Sequence, residues 1–242
     1  MTLGKRTVDV TGSFAGIDFH THILPSLDHG SESVLQSQKQ LCRLSSAKVK
    51  TVCATSHFYP NETTVGDFIC ARAAALEELT SSVASPRPDI ILGAEVLMCE
   101  GLEDMEGLVD LCFEGTRTLL LELPLGSKSI SDSMYETVLA IREKGIIPVL
   151  AHVDRYPREL IEPLVQDGIF AQINTVGVSG MFRSRHIEEW IDKGFVVAIG
   201  SDYHFVSDRG VECFERLSVK RPDMMSLLSE RADRILQNAI RR

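Results

Sequence analysis

Residues 17–30, Ile17-Asp18-Phe19-His20-Thr21-His22-Ile23-Leu24-Pro25-Ser26-Leu27-Asp28-His29-Gly30, carry the reading of the whole chain. A short apolar run ends in two histidines one residue apart. On an extended segment, residues i and i+2 point to the same side. His20 and His22 can therefore offer two imidazole nitrogens to one metal ion. An isolated H-x-H also occurs in ordinary loops, so the pair gains weight only from what the rest of the chain places around it.

Outward from this stretch, apolar runs of strand length recur. They cover 16–20, 50–54, 89–94, 118–123, 146–151, 169–174 and 195–200. Helix-like segments fill the gaps. Ser31 or Ser33 can cap a helix with Val34, Leu35, Leu41, Cys42 and Leu44 on one side. Asp67, Ser131, Pro157 and Ser184 mark further helix starts, and a last amphipathic helix covers about 223–240. The segment 96–115 reads as loops with a short helix.

Strands alternating with helices predict an α/β fold with a parallel sheet, because parallel neighbours need crossover connections. An open nucleotide-binding sheet should carry G-x-G-x-x-G or G-x-x-x-x-G-K-[ST] after its first strand, and neither occurs. A distorted seven-stranded (β/α)7 barrel fits better, with its site at the C-terminal ends of the strands.

Composition narrows the classes. The chain has 242 residues, 44% hydrophobic and 24% charged, as in an ordinary globular protein. No apolar run reaches the roughly 20 residues that cross a bilayer, so membrane insertion is not expected. Residues 1–15 lack the apolar block of a signal peptide and read as a tail before a single domain over 16–242. Six scattered cysteines without a C-x-x-C pair suggest reduced thiols and a cytoplasmic protein. A net charge of −9 argues against general nucleic-acid binding.

The histidines are the sharpest signal. Of seven, His20, His22, His57, His152 and His204 lie at or just past expected strand ends; His29 is in the first loop, and His186 falls on a helix. Asp28, Glu95, Glu122 and Asp202 share the distribution. A parallel barrel brings all of these to one rim. So many imidazoles and carboxylates cannot be buried together unpaired, and divalent metals resolve the conflict. Mixed N/O ligands without thiolate suit zinc, manganese or iron. The surplus over one coordination sphere points to two or more ions sharing a carboxylate.

Arg155 and Arg209 extend the rim. Alone, each reads as a surface residue paired with an acid; beside a metal cluster, each reads as a fork for phosphate oxygens.

The segments IDFHTHILPSLDHG, TSHFYP, GAE, LLLELP, LAHVDRYP and GSDYH resemble the motifs of the PHP (polymerase and histidinol phosphatase) superfamily. They are most similar to its bacterial manganese-dependent protein-tyrosine phosphatases of capsule and exopolysaccharide operons. The resemblance runs from about Ile17 to Arg209. It implies a distorted seven-stranded barrel of the PHP type, up to three manganese ions, and hydrolysis of phosphotyrosine on a tyrosine kinase that controls polysaccharide export.

By position, the resemblance assigns His20, His22, Asp202 and a bridging Glu95 to one metal. It assigns Glu95, Glu122 and His152 to a second, and His57, His204 and a first-loop carboxylate to a third. Arg155 and Arg209 would orient the phosphate. Two departures stand out. The family's first-loop Asp-Asp-Gly is Asp28-His29-Gly30 here, so His29 ligates, Asp28 takes over, or the third ion is held weakly. The family's His-Pro-Glu-Arg-Tyr is His152-Val153-Asp154-Arg155-Tyr156.

The expected chemistry is direct attack on phosphorus by a hydroxide held on the metals. A cysteine route is closed, since no cysteine is followed six residues later by arginine. The rivals are a small-molecule phosphomonoesterase acting on a histidinol-phosphate-like ester, and a metal-binding regulatory module without catalysis. An amide or lactone hydrolase fits less well, because such barrels commonly carry a modified lysine where this chain has Glu122.

Overall fold

The computed structural model describes residues 16–82, 87–126, 129–180, 185–205 and 209–237. The tail 1–15 and the expected helix start at Ser184 lie outside these. Nine strands and eight α-helices are described, in an α/β arrangement whose strand pairs are all parallel.

The strand count corrects the sequence expectation of seven. The expected first and second strands are β1 (Gly16–Thr21) and β2 (Val49–Ala54). A two-residue strand, β3 (His57–Phe58), then follows the second. The expected third strand over 89–94 is β4 (Asp89–Leu92), with a separate β5 (Glu95–Leu97) after it. The next four match their expectations: β6 (Thr118–Glu122), β7 (Ile147–Leu150), β8 (Phe170–Asn174) and β9 (Val196–Gly200).

These strands pair as a sheet of three, β1-β2-β4, and a sheet of six, β3-β5-β6-β7-β8-β9, rather than as one ring of seven. The division falls where the backbone bends between paired strands. Gly93 N donates to Ala54 O at 2.9 Å, and Glu95 N to Ser56 O at 3.1 Å, so the ladder steps sideways there. Gly93 makes the step feasible, since a Cβ would lie 2.7 Å from the Phe113 ring. At the other edge, β1 and β9 share no extended ladder. Their C-terminal ends are joined through Asp202 N to His20 O at 2.8 Å and His22 N to Tyr203 O at 3.1 Å.

Strand residues alternate between two apolar clusters, as period-2 geometry requires. Phe19, Cys53, Leu120, Val149 and Ala198 point into a common interior with Ala232 and Ile235. Val52, Leu119, Leu121, Leu150 and Ile173 face the helical layer. Both faces are buried, which explains why these strands read as continuous apolar runs.

The helices cover the outer faces. They are α1 (Val34–Ser46), α2 (Val65–Ser82), α3 (Asp132–Glu143), α4 (Arg158–Gln166), α5 (Thr175–Ser179), α6 (Arg185–Asp192), α7 (Gly210–Lys220) and α8 (Pro222–Gln237). Ser33 and Ser131 cap α1 and α3 by accepting from Gln36 N and Met134 N. On α1, Leu35 and Cys42 face solvent, and Ser37 and Gln40 take the buried face instead. Gln40 Nε2 donates to His204 O at 2.9 Å, so this polar face serves the loop after β9. Helix α8 lies beneath the strands, with Ser229 Oγ accepting from Ile17 N. The expected helix and loops over 96–115 prove to be β5 and two 3-10 turns. Helices α5 and α7 were not expected from the sequence. Among the described residues no helix is long and apolar enough to cross a membrane, and none of the six cysteines forms a disulfide.

Trp190 on α6 is fully buried, whereas Leu35 is 61% exposed. Trp190→Ala should cost about 3–5 kcal/mol, and Leu35→Ala less than about 0.5 kcal/mol. Urea denaturation midpoints of the two variants provide the comparison.

Candidate metal centre

The expected ligands lie at or just past the C-terminal ends of strands, except that His57 and Glu95 open the short strands β3 and β5, just beyond the ends of β2 and β4. His20 is on β1 with His22 just past it, His57 on β3, Glu95 on β5 and Glu122 at the end of β6. His152 follows β7; Asp202 and His204 follow β9. Parallel pairing puts all these ends on one side.

The nitrogens and oxygens converge closely. His20 Nε2 lies 3.0 Å from Glu95 Oε2 and 3.1 Å from His22 Nε2. His22 Nε2 is 3.3 Å from Glu95 Oε2 and 3.5 Å from Asp202 Oδ1. His57 Nδ1 is 3.1 Å from Glu95 Oε2 and 3.7 Å from Glu122 Oε2. His152 Nε2 approaches Glu95 Oε1 at 2.9 Å and Glu122 Oε1 at 3.4 Å. His204 Nδ1 is 3.4 Å from Asp202 Oδ1, and its ring stacks on His22 at 3.9 Å. Three ligand groups emerge: His20 with His22 and Glu95, His57 with Glu95 and Glu122, and His22 with His57 and His204.

Chemistry favours cations here. Glu95 Oε2 and His57 Nδ1 are both fully buried, and neither makes a hydrogen bond among the described residues despite their 3.1 Å separation. Two buried electron-pair donors pointed at one small volume, without a proton directed between them, would be costly in a dry interior. A divalent ion satisfies both.

Charge is already polarised within the cluster. Burial would raise the Glu95 carboxyl, but the charge of His20, the hydrogen bond from His152 to Oε1 and the close approach of the His20 and His22 rings hold it well below its usual range. Asp202 is likewise held low, against burial, by His20 and His22. Burial favours a neutral His152, yet hydrogen bonds to Glu122 and Glu95 push it up to about 9. His57 falls to about 3 through burial and the charge of His22. His22 is also raised, against burial, by its carboxylate partners, so metal binding at these two rings should displace protons.

An outer layer orients the ligands. His20 Nδ1 bonds Gln172 Oε1 at 3.2 Å, leaving Nε2 to face the cluster. The same Oε1 accepts from His152 N at 2.7 Å. Asn174 Nδ2 donates to Asp202 Oδ2 at 2.8 Å, and Asp154 Oδ1 accepts from Asn174 N at 2.7 Å. Buried Asp18 accepts from Ser201 N at 2.8 Å, tying β1 to β9; burial raises its carboxyl to about 6. His152 and Asp202 both adopt positive φ, 32° and 54°. Strain of this kind persists only where neighbours over-determine it. Gly200 is required beside them, because a Cβ there would stand 2.5 Å from His20 Cβ.

The first loop divides the work between its two polar residues. Asp28 Oδ2 takes His22 Nδ1 at 2.7 Å and His57 N at 2.9 Å, while Oδ1 takes Gly30 N at 2.8 Å. Both oxygens are engaged behind the cluster. The His29 ring, by contrast, stacks 4.5 Å from His57 and 4.8 Å from His204.

Above the cluster is a cavity of about 910 Å³ whose lining includes His29, His57, Glu95, Glu122, Arg155 and Arg209. His20, His22 and Asp28 lie beneath it. Arg155 Nη1 is 3.4 Å from Asp202 Oδ2. Sequence reasoning passed over Gln172, Asn174, Asp18 and Asp154. A signal for the first two existed: Phe170-Ala171-Gln172-Ile173-Asn174 places polar groups at i and i+2 in an apolar strand, as His20 and His22 are placed.

The chain is similar to several known proteins. The family model described as "Capsular polysaccharide synthesis, CpsB/CapC" matches residues 16–236. The tyrosine-protein phosphatase CpsB of Streptococcus pneumoniae is 27% identical over 80% of this chain and 84% of its own length. The tyrosine-protein phosphatase YwqE of Bacillus subtilis is 25% identical over 92% of both chains. Among solved structures, a chain from the crystal structures of those two proteins, described as unique metal-dependent tyrosine phosphatases, superposes with a TM-score of 0.73. That chain is 21% identical, with 92% of this chain and 95% of that one covered.

Metal binding should release protons, and manganese affinity should climb as pH rises towards about 9, the value for His152. Calorimetry in buffers of different ionisation enthalpy measures the release; a pH-independent affinity would contradict the assignment. Gln172→Leu should weaken manganese binding by about 10–100-fold, read by competition with a chelating dye.

Proposed function

The chain belongs to the CpsB/CapC capsular polysaccharide synthesis family, and from that premise we propose that it is a metal-dependent protein-tyrosine phosphatase. Its substrate is phosphotyrosine on a bacterial tyrosine kinase that controls polysaccharide synthesis or export. The observation that carries this reading is the buried, unpaired meeting of Glu95 Oε2 with His57 Nδ1 beneath two arginines. The two sheets read as one interrupted barrel of the PHP type, and residues 16–242 as one domain.

His20, His22, Glu95 and Asp202 would hold one ion; Glu95, Glu122 and His152 a second; His57 and His204, joined by His29, a third. His29 is preferred to Asp28 because both oxygens of Asp28 are already engaged. Manganese is the proposed metal, the mixed imidazole and carboxylate set being compatible also with zinc or iron. Bound there, divalent cations supply Lewis acidity towards phosphoryl oxygens and favour ionisation of water at neutral pH.

The chain's own groups do the rest. Arg155 and Arg209 present forked donors to the non-bridging phosphate oxygens as negative charge builds there. Arg155 sits against Asp202 Oδ2 and can turn to an arriving phosphate without crossing the cavity. Gln172 and Asn174 keep His20 and Asp202 in place, so little reorganisation accompanies the reaction.

Hydrolysis of a phosphotyrosyl peptide should vanish on chelation, return with manganese and survive thiol alkylation. Activity that persists after metal stripping would overturn the proposal. Arg155→Ala should lower kcat by about 10²–10³-fold with metal content retained.

A further inference from the structure

The walls of the cavity differ from its floor. Among the described lining residues, the exposed side chains are those of His29, Leu125, Arg155, Val176, Phe205 and Arg209. Leu125, Val176 and Phe205 are 56%, 49% and 42% exposed, and they account for three of the seven large apolar side chains left exposed in the described structure. They come from three separate places: the loop after β6, helix α5 and the loop after β9. Tyr59, its ring stacked 5.3 Å from His57, and Pro124 continue the same wall. Among the described lining residues no carboxylate is exposed; Glu95, Glu122, Asp154 and Asp202 all sit lower and are engaged with the cluster or with β8.

This arrangement has a chemical preference. A mouth whose described residues offer apolar patches and cationic forks, and no exposed acid among them, suits an anion carried on an uncharged apolar body. An ester whose alcohol bears an ammonium group finds no counter-charge there and would lose solvation on entry. Exposed apolar side chains gathered around a polar floor are themselves the mark of a binding surface.

We propose that Leu125, Val176 and Phe205 are specificity-determining residues, forming a collar that grips the aromatic ring of a phosphomonoester and disfavours small alkyl and ammonium-bearing esters. This rests on the phosphatase reading above and adds to it the means of telling tyrosine esters from esters of the histidinol type. The ring would lie between side chains supplied by the loop after β6, helix α5 and the loop after β9, with its phosphate turned down towards the arginines.

The test uses non-hydrolysable probes on the manganese-loaded full chain. Calorimetry compares benzylphosphonate, methylphosphonate and 2-aminoethylphosphonate. The wild type should bind the benzyl compound at least about tenfold more tightly than the other two. In the Leu125→Ser/Val176→Ser double variant that preference should fall below about threefold; its measured metal content reports whether the cluster beneath has assembled. A single Leu125→Asp variant should shift relative affinity towards 2-aminoethylphosphonate. Equal binding of the three compounds by the wild type, or an undiminished benzyl preference in the double variant, would overturn the collar. Turnover of a phosphotyrosyl peptide is scored separately. Selective binding without turnover would remove the phosphatase reading and leave the collar standing; turnover without selectivity would do the reverse.

Discussion

Glu95 is the point on which the site depends. A carboxylate with no exposure, surrounded by His20, His22, His57 and His152 and leaving one oxygen without a hydrogen bond, is a poor way to stabilise a fold. Desolvating such a group costs several kcal/mol unless charge of the opposite sign is close and well placed. The neighbouring imidazoles supply part of it, and the same carboxylates push His152 up to about 9 and raise His22 well above its usual value. Cations in the same volume would supply more and free the rings to act as neutral donors.

The surrounding architecture exists to make that concentration of charge tolerable. Parallel strands deliver residues far apart in sequence to one end, and the pleat lets every second residue face the interior. Closing the gap between β1 and the end of β9 needs Asp18, which accepts from Ser201 N, and Gly200, which lets the strands touch. Positive φ at His152 and Asp202 turns their side chains inward, and Gln172 and Asn174 hold them there. Gly200, Gln172 and Asn174 are uncharged, so they add geometry without adding net charge to an already crowded pocket.

Periodicity was a good guide to elements and a weaker one to their interruptions. An apolar run over 89–94 reads as one strand, but Gly93 breaks it so that Phe113 can pack close, and β5 starts afresh at Glu95. The α1 stripe was displaced for a similar reason: Gln40 is drawn inward by the carbonyl of His204, and Leu35 turns outward. Helix α7 begins at Gly210, where a Cβ would meet Ser201 O at 2.3 Å, a contact that no local pattern reveals.

From residue order alone come the alternating α/β plan, the histidines and acids at strand ends, the absence of a cysteine phosphatase loop and the likeness to a phosphatase family. These are properties of spacing and side-chain type, which a linear string states directly. Only the folded molecule distinguishes Asp28 from His29, because that difference is one of direction: the aspartate is spent on His22, His57 and Gly30, while the imidazole faces the cavity. The roles of Gln172 and Asn174, and the gathering of Leu125, Val176 and Phe205 at one mouth, also belong to tertiary structure. Residues tens of positions apart acquire these roles only when strand pairing brings them within reach of the same small volume.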